Sequence, residues 1–180
     1  GDMFAAHLGH GEAWGAHIAT PTAMMFAVAC PARVVGVAAG NLHSLVVLDD
    51  GRLFSCGGGW EGPLGLGNQA CEPSLKQVTA LAQERVVAVA AGSAHSLAVT
   101  DRGALFSWGW GKLGQLGHDG IATELTPRRV LALASVQIQR VSAGPTHSVA
   151  TARSGAEYEF GTTPDGRRVT TSSEESTHAC

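Results

Sequence analysis

The dipeptide His-Ser occurs at 43–44, 95–96 and 147–148, and the same two residue types elsewhere make a general base and its nucleophile. Neighbours along an extended strand point to opposite faces, so a histidine and the serine after it cannot bond side chain to side chain. A dyad within one dipeptide is disfavoured. The imidazoles of His43, His95 and His147 are expected instead to bond neighbouring backbone, as buried polar groups commonly do. Two further stretches, Gly57-Gly58-Gly59-Trp60-Glu61-Gly62 and Gly109-Trp110-Gly111-Lys112-Leu113-Gly114, satisfy GxGxxG. A dinucleotide site needs a helix after the third glycine and an acidic residue about 20 positions on. Here Pro63, Gly65 and Gly67 follow in one copy and Gly117 and Gly120 in the other. Such a run cannot carry that helix, and no cofactor is expected. Lys112 is followed by Leu113, not by the Ser or Thr of a phosphate loop.

Metal chemistry fares no better. His7, His10 and His17 form a loose N-terminal cluster, and copies of one histidine on stacked sheets would stand about 10 Å apart, too far to share an ion. The tryptophans offer recognition instead. Trp108 occupies the place of Cys56 and Phe160 in the other copies and reads as core. Trp60 and Trp110 fall in glycine loops, where they either pack locally or meet a partner. Glu61, Lys112, His118 and Asp119 share those loops and complete the candidate contact set.

What positions these residues is a repeat. VVGVAAGNLHS starts at Val34, VVAVAAGSAHS at Val86 and IQRVSAGPTHS at Ile138, a constant offset of 52. The offset also carries Gly40 to Gly92 and Gly144, Gly51 to Gly103 and Gly155, and Phe54 to Phe106 and Tyr158. Each unit opens with β-branched and small residues, an inner strand too crowded for large side chains. Runs over 43–48 and 53–56 follow, separated by Asp50-Gly51, and the glycine supplies the positive φ of a tight hairpin. A glycine-rich loop then leads to a weaker fourth run around Val78 and Val130. Three or four antiparallel strands per 52 residues is the signature of a propeller blade.

The combination AGxxHS, then a Gly-containing turn, then LFSWGWGKLGQLGHDG over 105–120 resembles the regulator of chromosome condensation family. That resemblance implies a seven-bladed β-propeller. The matching stretch runs from Val34 to Gly161, 128 of 180 residues, or about 2.5 units. The fold expected is therefore all-β, a partial propeller with an incomplete ring. Residues 1–33 read as the end of a preceding repeat, 34–85 and 86–137 as full repeats, and 138–161 as a half repeat. Residues 162–180 read as a divergent polar tail with one short strand, then disorder. An open stack leaves strand edges that invite self-association, and the chain reads equally as a piece of a longer one. A light-sensing branch of the family would require Gly-Trp-Arg-His-Thr at the AGxxHS position. Asn41-Leu42, Ser93-Ala94 and Pro145-Thr146 stand there instead.

Composition bounds the rest. The 24 glycines are nearly twice the usual ~7% and disfavour a helical bundle. A formal charge of −3, with scattered basic residues, gives nucleic acid no electrostatic footprint. The apolar run 23–30 stops at Pro31, far short of the ~20 residues that span a bilayer. Four cysteines without a Cys-x-x-Cys pair suggest reduced thiols and an intracellular setting. The expected role is a non-catalytic protein-interaction module. The resemblance adds two alternatives, guanine-nucleotide exchange on a small GTPase and the repeat region of a larger ubiquitin ligase. The expected partner is thus a protein, a small GTPase or a ubiquitin-pathway component.

Overall fold

A computed structural model describes residues 32–162 and 168–169. Expectations for 1–31, including His7, His10 and His17, and for most of the tail lie outside the described residues. Three four-stranded antiparallel sheets follow one another along the chain. The first contains β1 (Val34–Ala39), β2 (His43–Leu48), β3 (Leu53–Gly57) and β4 (Glu72–Gln77). The second contains β5 (Val86–Ala91), β6 (His95–Thr100), β7 (Leu105–Gly109) and β8 (Glu124–Arg129). The third contains β9 (Ile138–Ala143), β10 (His147–Ala152), β11 (Glu157–Thr162) and β12 (Arg168–Val169). Strand order in each sheet follows chain order, as in a propeller blade. The described residues form an all-β partial propeller, three blades of an incomplete ring.

The sequence places the fourth strand a few residues too late. β4 and β8 end at Gln77 and Arg129, while Val78 and Val130 begin short 3-10 turns over Thr79–Leu81 and Leu131–Leu133. Pro73 and Pro127 explain the weak strand pattern there. Proline lacks a ladder donor and is tolerated because β4 and β8 are outer edges. In each hairpin β2–β3, β6–β7 and β10–β11 the turn glycine has positive φ, 88° at Gly51, 76° at Gly103 and 91° at Gly155.

Stacking is apolar. Leu45, Val47 and Leu53 of the first sheet meet Val86, Ala98 and Trp108 of the second. One repeat later, Leu97, Val99 and Leu105 meet Ile138, Ala150 and Phe160 of the third. Backbone bonds tie the same junctions. Val86 N donates to Gly51 O and Ile138 N to Gly103 O, both at 3.0 Å, so each hairpin turn is pinned to the start of the next blade. The inner strands β1, β5 and β9 lie side by side. Their small residues, mostly alanine, leave room for that approach.

Candidate functional site

Each glycine loop leaves the end of a third strand and lies over the next blade. Ser55 Oγ donates to Leu64 O at 2.8 Å and Ser107 Oγ to Leu116 O at 2.6 Å, fastening each loop to its own sheet. Pro63 O then accepts from two groups of the second blade, Ser96 Oγ and Trp108 Nε1, both at 2.8 Å. Gly67 N donates to Leu125 O at 3.0 Å. In the following copy Gln115 O accepts from Ser148 Oγ at 2.8 Å. The loops are therefore fixed platforms, held at both ends.

The first two histidines bond a serine of the next blade, and His95 also meets the backbone of His147 there. His43 Nε2 lies 2.9 Å from Ser96 Oγ, and His95 Nε2 lies 2.9 Å from Ser148 Oγ. A serine hydroxyl has one proton, and here it is donated to Pro63 O or Gln115 O. The hydroxyl must therefore accept from Nε2–H, which fixes the tautomer. Nδ1 is left without a hydrogen-bond partner in His43, His95 and His147. Each ring fills a notch over Gly40, Gly92 or Gly144, where a Cβ would collide with it. Burial, reinforced by the neighbouring His95, lowers His43 to about 4, and burial, reinforced by the neighbouring His147 and opposed by a hydrogen bond to the His147 backbone, lowers His95 to about 4. Both are neutral at pH 7.

A His–Ser pair at 2.9 Å has the contact of a dyad but cannot act as one. Ser96 and Ser148 are fully buried, and their protons are committed to carbonyls. No group of three or more metal-ligating side chains occurs among the described residues.

The candidate contact residues part company. Trp60 is 41% exposed at the tip of its loop, and Glu61 beside it is exposed with φ of 65°. Lys112, which occupies the place of Trp60 one repeat later, is exposed, as is Asp119. Trp110 is half-buried, and its amide donates to Ala94 O at 2.8 Å. His118 turns inward. Its Nε2 lies 3.0 Å from Ser107 Oγ, which already donates to Leu116 O, and burial lowers its pKa. The inner-strand ends add a feature the sequence did not suggest, an open concavity of about 230 Å³ lined by Gly40, Asn41, Gly92, Ser93, Gly144 and Pro145. Sequence reasoning also missed Ser96 and Ser148 as the histidines' partners. Their recurrence at the same offset of 52 was the available signal.

Comparison with known proteins agrees with this architecture. The pattern described as the regulator of chromosome condensation (RCC1) repeat matches residues 50–99 and 102–151, and a second pattern of that description matches 34–59 and 86–115. The ultraviolet-B receptor UVR8 of Arabidopsis thaliana is 37% identical over 129 residues, 72% of this chain and 29% of the receptor. The E3 ubiquitin-protein ligase HERC2 of Mus musculus is 39% identical over 138 residues, 75% of this chain and 3% of the ligase. The crystal structure of human WBSCR16 superposes with a TM-score of 0.68 at 28% identity, covering 80% of this chain and 38% of that one. The chain thus spans less than a third of either curated relative.

Proposed function

Since the chain belongs to the regulator of chromosome condensation repeat family, we propose that it is a non-catalytic protein-interaction module that presents its glycine-loop rim to a protein partner. The observation that carries this reading is Trp60, an aromatic 41% exposed on a loop whose backbone is already fixed. Interface hot spots are enriched in such aromatics, and a rigid platform spares the ordering cost of binding. Glu61, Lys112 and Asp119 supply a polar rim of both signs. Trp110 and His118 support the rim from beneath.

The test is capture of a partner from lysate by the wild-type chain, followed by direct titration of that partner. Trp60→Ala with Lys112→Ala should weaken affinity at least tenfold while leaving the melting temperature within about 2 °C. Undiminished affinity removes the rim from the site.

A second reading is favoured by the 39% identity to HERC2, namely that these blades are the repeat region of a larger ubiquitin ligase. In that case the partner belongs to the ubiquitin pathway, and the flanking reading frame would encode the ligase domain. Guanine-nucleotide exchange on a small GTPase is the third reading. It predicts faster nucleotide release from the GTPase when the chain is added, and release at the intrinsic rate rejects it.

A further inference from the structure

The first two sheets are apolar on the face they turn toward the C-terminal side of the stack, whereas the third is not. In the first sheet that face carries the cross-strand rows Gly36–Val47–Leu53 and Ala38–Leu45–Ser55. In the second it carries Ala88–Val99–Leu105 and Ala90–Leu97–Ser107. The β2, β3, β6 and β7 members of these rows are buried to within 2%. The third sheet keeps the register and changes the residues. Its rows are Arg140–Thr151–Glu157 and Ser142–Val149–Glu159. Arg140, Ser142 and Glu157 are exposed, and Thr151, Val149 and Glu159 are half-buried.

From these rows we infer that the third sheet is a closing blade: its outer face is built to meet water and does not accept another sheet of the same repeat. The opposite face shows that this is not a general loss of hydrophobicity. Ile138, Ala150, Ala152 and Phe160 are buried there against the second sheet. Stacking a further blade would bury Glu157 and Glu159 at positions where the preceding copies hold leucine and serine. The desolvation of two carboxylates outweighs what the remaining Val149 gains. A stack of repeats needs a polar outer face at its end for the same reason.

His147 retains the imidazole that the preceding blades use to reach the next serine. Its place is accounted for without one, because the ring fills the notch over Gly144. The loss of Ser55 and Ser107 from the pattern is likewise local. Those serines fasten a glycine loop to its own sheet, and the third copy has no such loop sequence after Gly161.

The inference limits how copies of the chain can join. Val34 and Val37 of the first sheet are 50% and 70% exposed, whereas the counterparts of Val34, Val86 and Ile138, are buried and those of Val37, Val89 and Val141, are half-buried against a preceding blade. Head-to-tail addition would bring this end of one copy onto the third sheet of another, and the third sheet refuses it.

The experiment is sedimentation velocity on the full chain across a hundredfold concentration range. Thr151→Lys, on the closing face, should leave the wild-type profile unchanged. Restoring the second-sheet residues with Arg140→Ala, Thr151→Val, Glu157→Leu and Glu159→Ser should produce species of dimer size or larger that grow with concentration. Adding Val37→Glu should return those to the wild-type profile. Loss of a wild-type oligomer in Thr151→Lys, or a wild-type profile for the restored variant, overturns the inference. Should the fourfold variant lose its β-sheet circular dichroism, Thr151→Val with Glu157→Gln takes its place with the same two outcomes.

Discussion

Nε2 of His43 lies 2.9 Å from Oγ of Ser96, so a dipeptide that cannot pair within itself pairs with its own copy one blade later. The chain repeats the contact between His95 and Ser148. Each bond joins an imidazole of one sheet to a serine of the next, and that serine hands its proton to the loop lying over it. One polar ladder therefore locks strand, neighbouring blade and loop.

Removing a rung should be costly. Ser96→Ala leaves Pro63 O with Trp108 Nε1 as donor but strands the buried His43 Nε2–H. An orphaned buried donor costs about 1–3 kcal/mol. Urea unfolding should show that loss for Ser96→Ala and again for Ser148→Ala, and a variant as stable as wild type would mean that the ladder contributes nothing.

The ladder also makes stability depend on pH. His43 and His95 titrate near 4 in the fold, against about 6.5 in the unfolded chain. Above pH 6.5 both states hold neutral imidazole and stability is complete. As pH falls from 6.5 toward 4 the unfolded state binds protons that the folded state refuses, and stability drops by up to about tenfold in the folding equilibrium per pH unit for each histidine. The urea midpoint should therefore fall between pH 7 and pH 5; a flat profile over that range would show that these rings are not held neutral.

Two glycines on the inner strands and their ends should respond oppositely to alanine. A Cβ at Gly92 would run into the His95 ring and lie 2.6 Å from Gly144 O. Overpacking of that kind costs about 1–3 kcal/mol. At Gly36 the nearest atom would be Val47 Cβ at 3.6 Å, and the second copy already carries Ala88 there. Gly36→Ala should be neutral or stabilising by about 0.5–1 kcal/mol, since alanine gives up less backbone freedom than glycine. Thermal denaturation of the two variants distinguishes them, and equal effects would contradict this packing.

The described cysteines should differ in reactivity. Cys56 is buried, and burial pushes its thiol up to about 11, whereas Cys71 is half-buried in the loop. Thiolate and access both govern alkylation. Iodoacetamide at pH 8 with peptide mapping should label Cys71 at least tenfold faster than Cys56 in the native protein, and comparable rates would place Cys56 outside the core.

Much of the fold was legible because it is written nearly three times. The offset of 52 located the three strands that each copy shares, and the turn glycines marked the hairpins, since a positive φ leaves a visible residue type. The fourth strand was blurred by Pro73 and Pro127, which an outer edge tolerates but a strand pattern does not announce. Trp60 and Lys112 could be named as loop residues from sequence, yet nothing in the sequence separated them from Trp110 and His118, whose loops turn them inward.

The sequence by itself determined the architecture, the spacing of the blades and the absence of the helix that a dinucleotide loop requires, because these follow from local periodicity and glycine content. Only the tertiary structure decided which serine each histidine meets, which loop residues remain exposed, and which face of the third sheet meets solvent. Those are relations between residues one repeat apart in sequence but adjacent in space, and stacking of the sheets creates them.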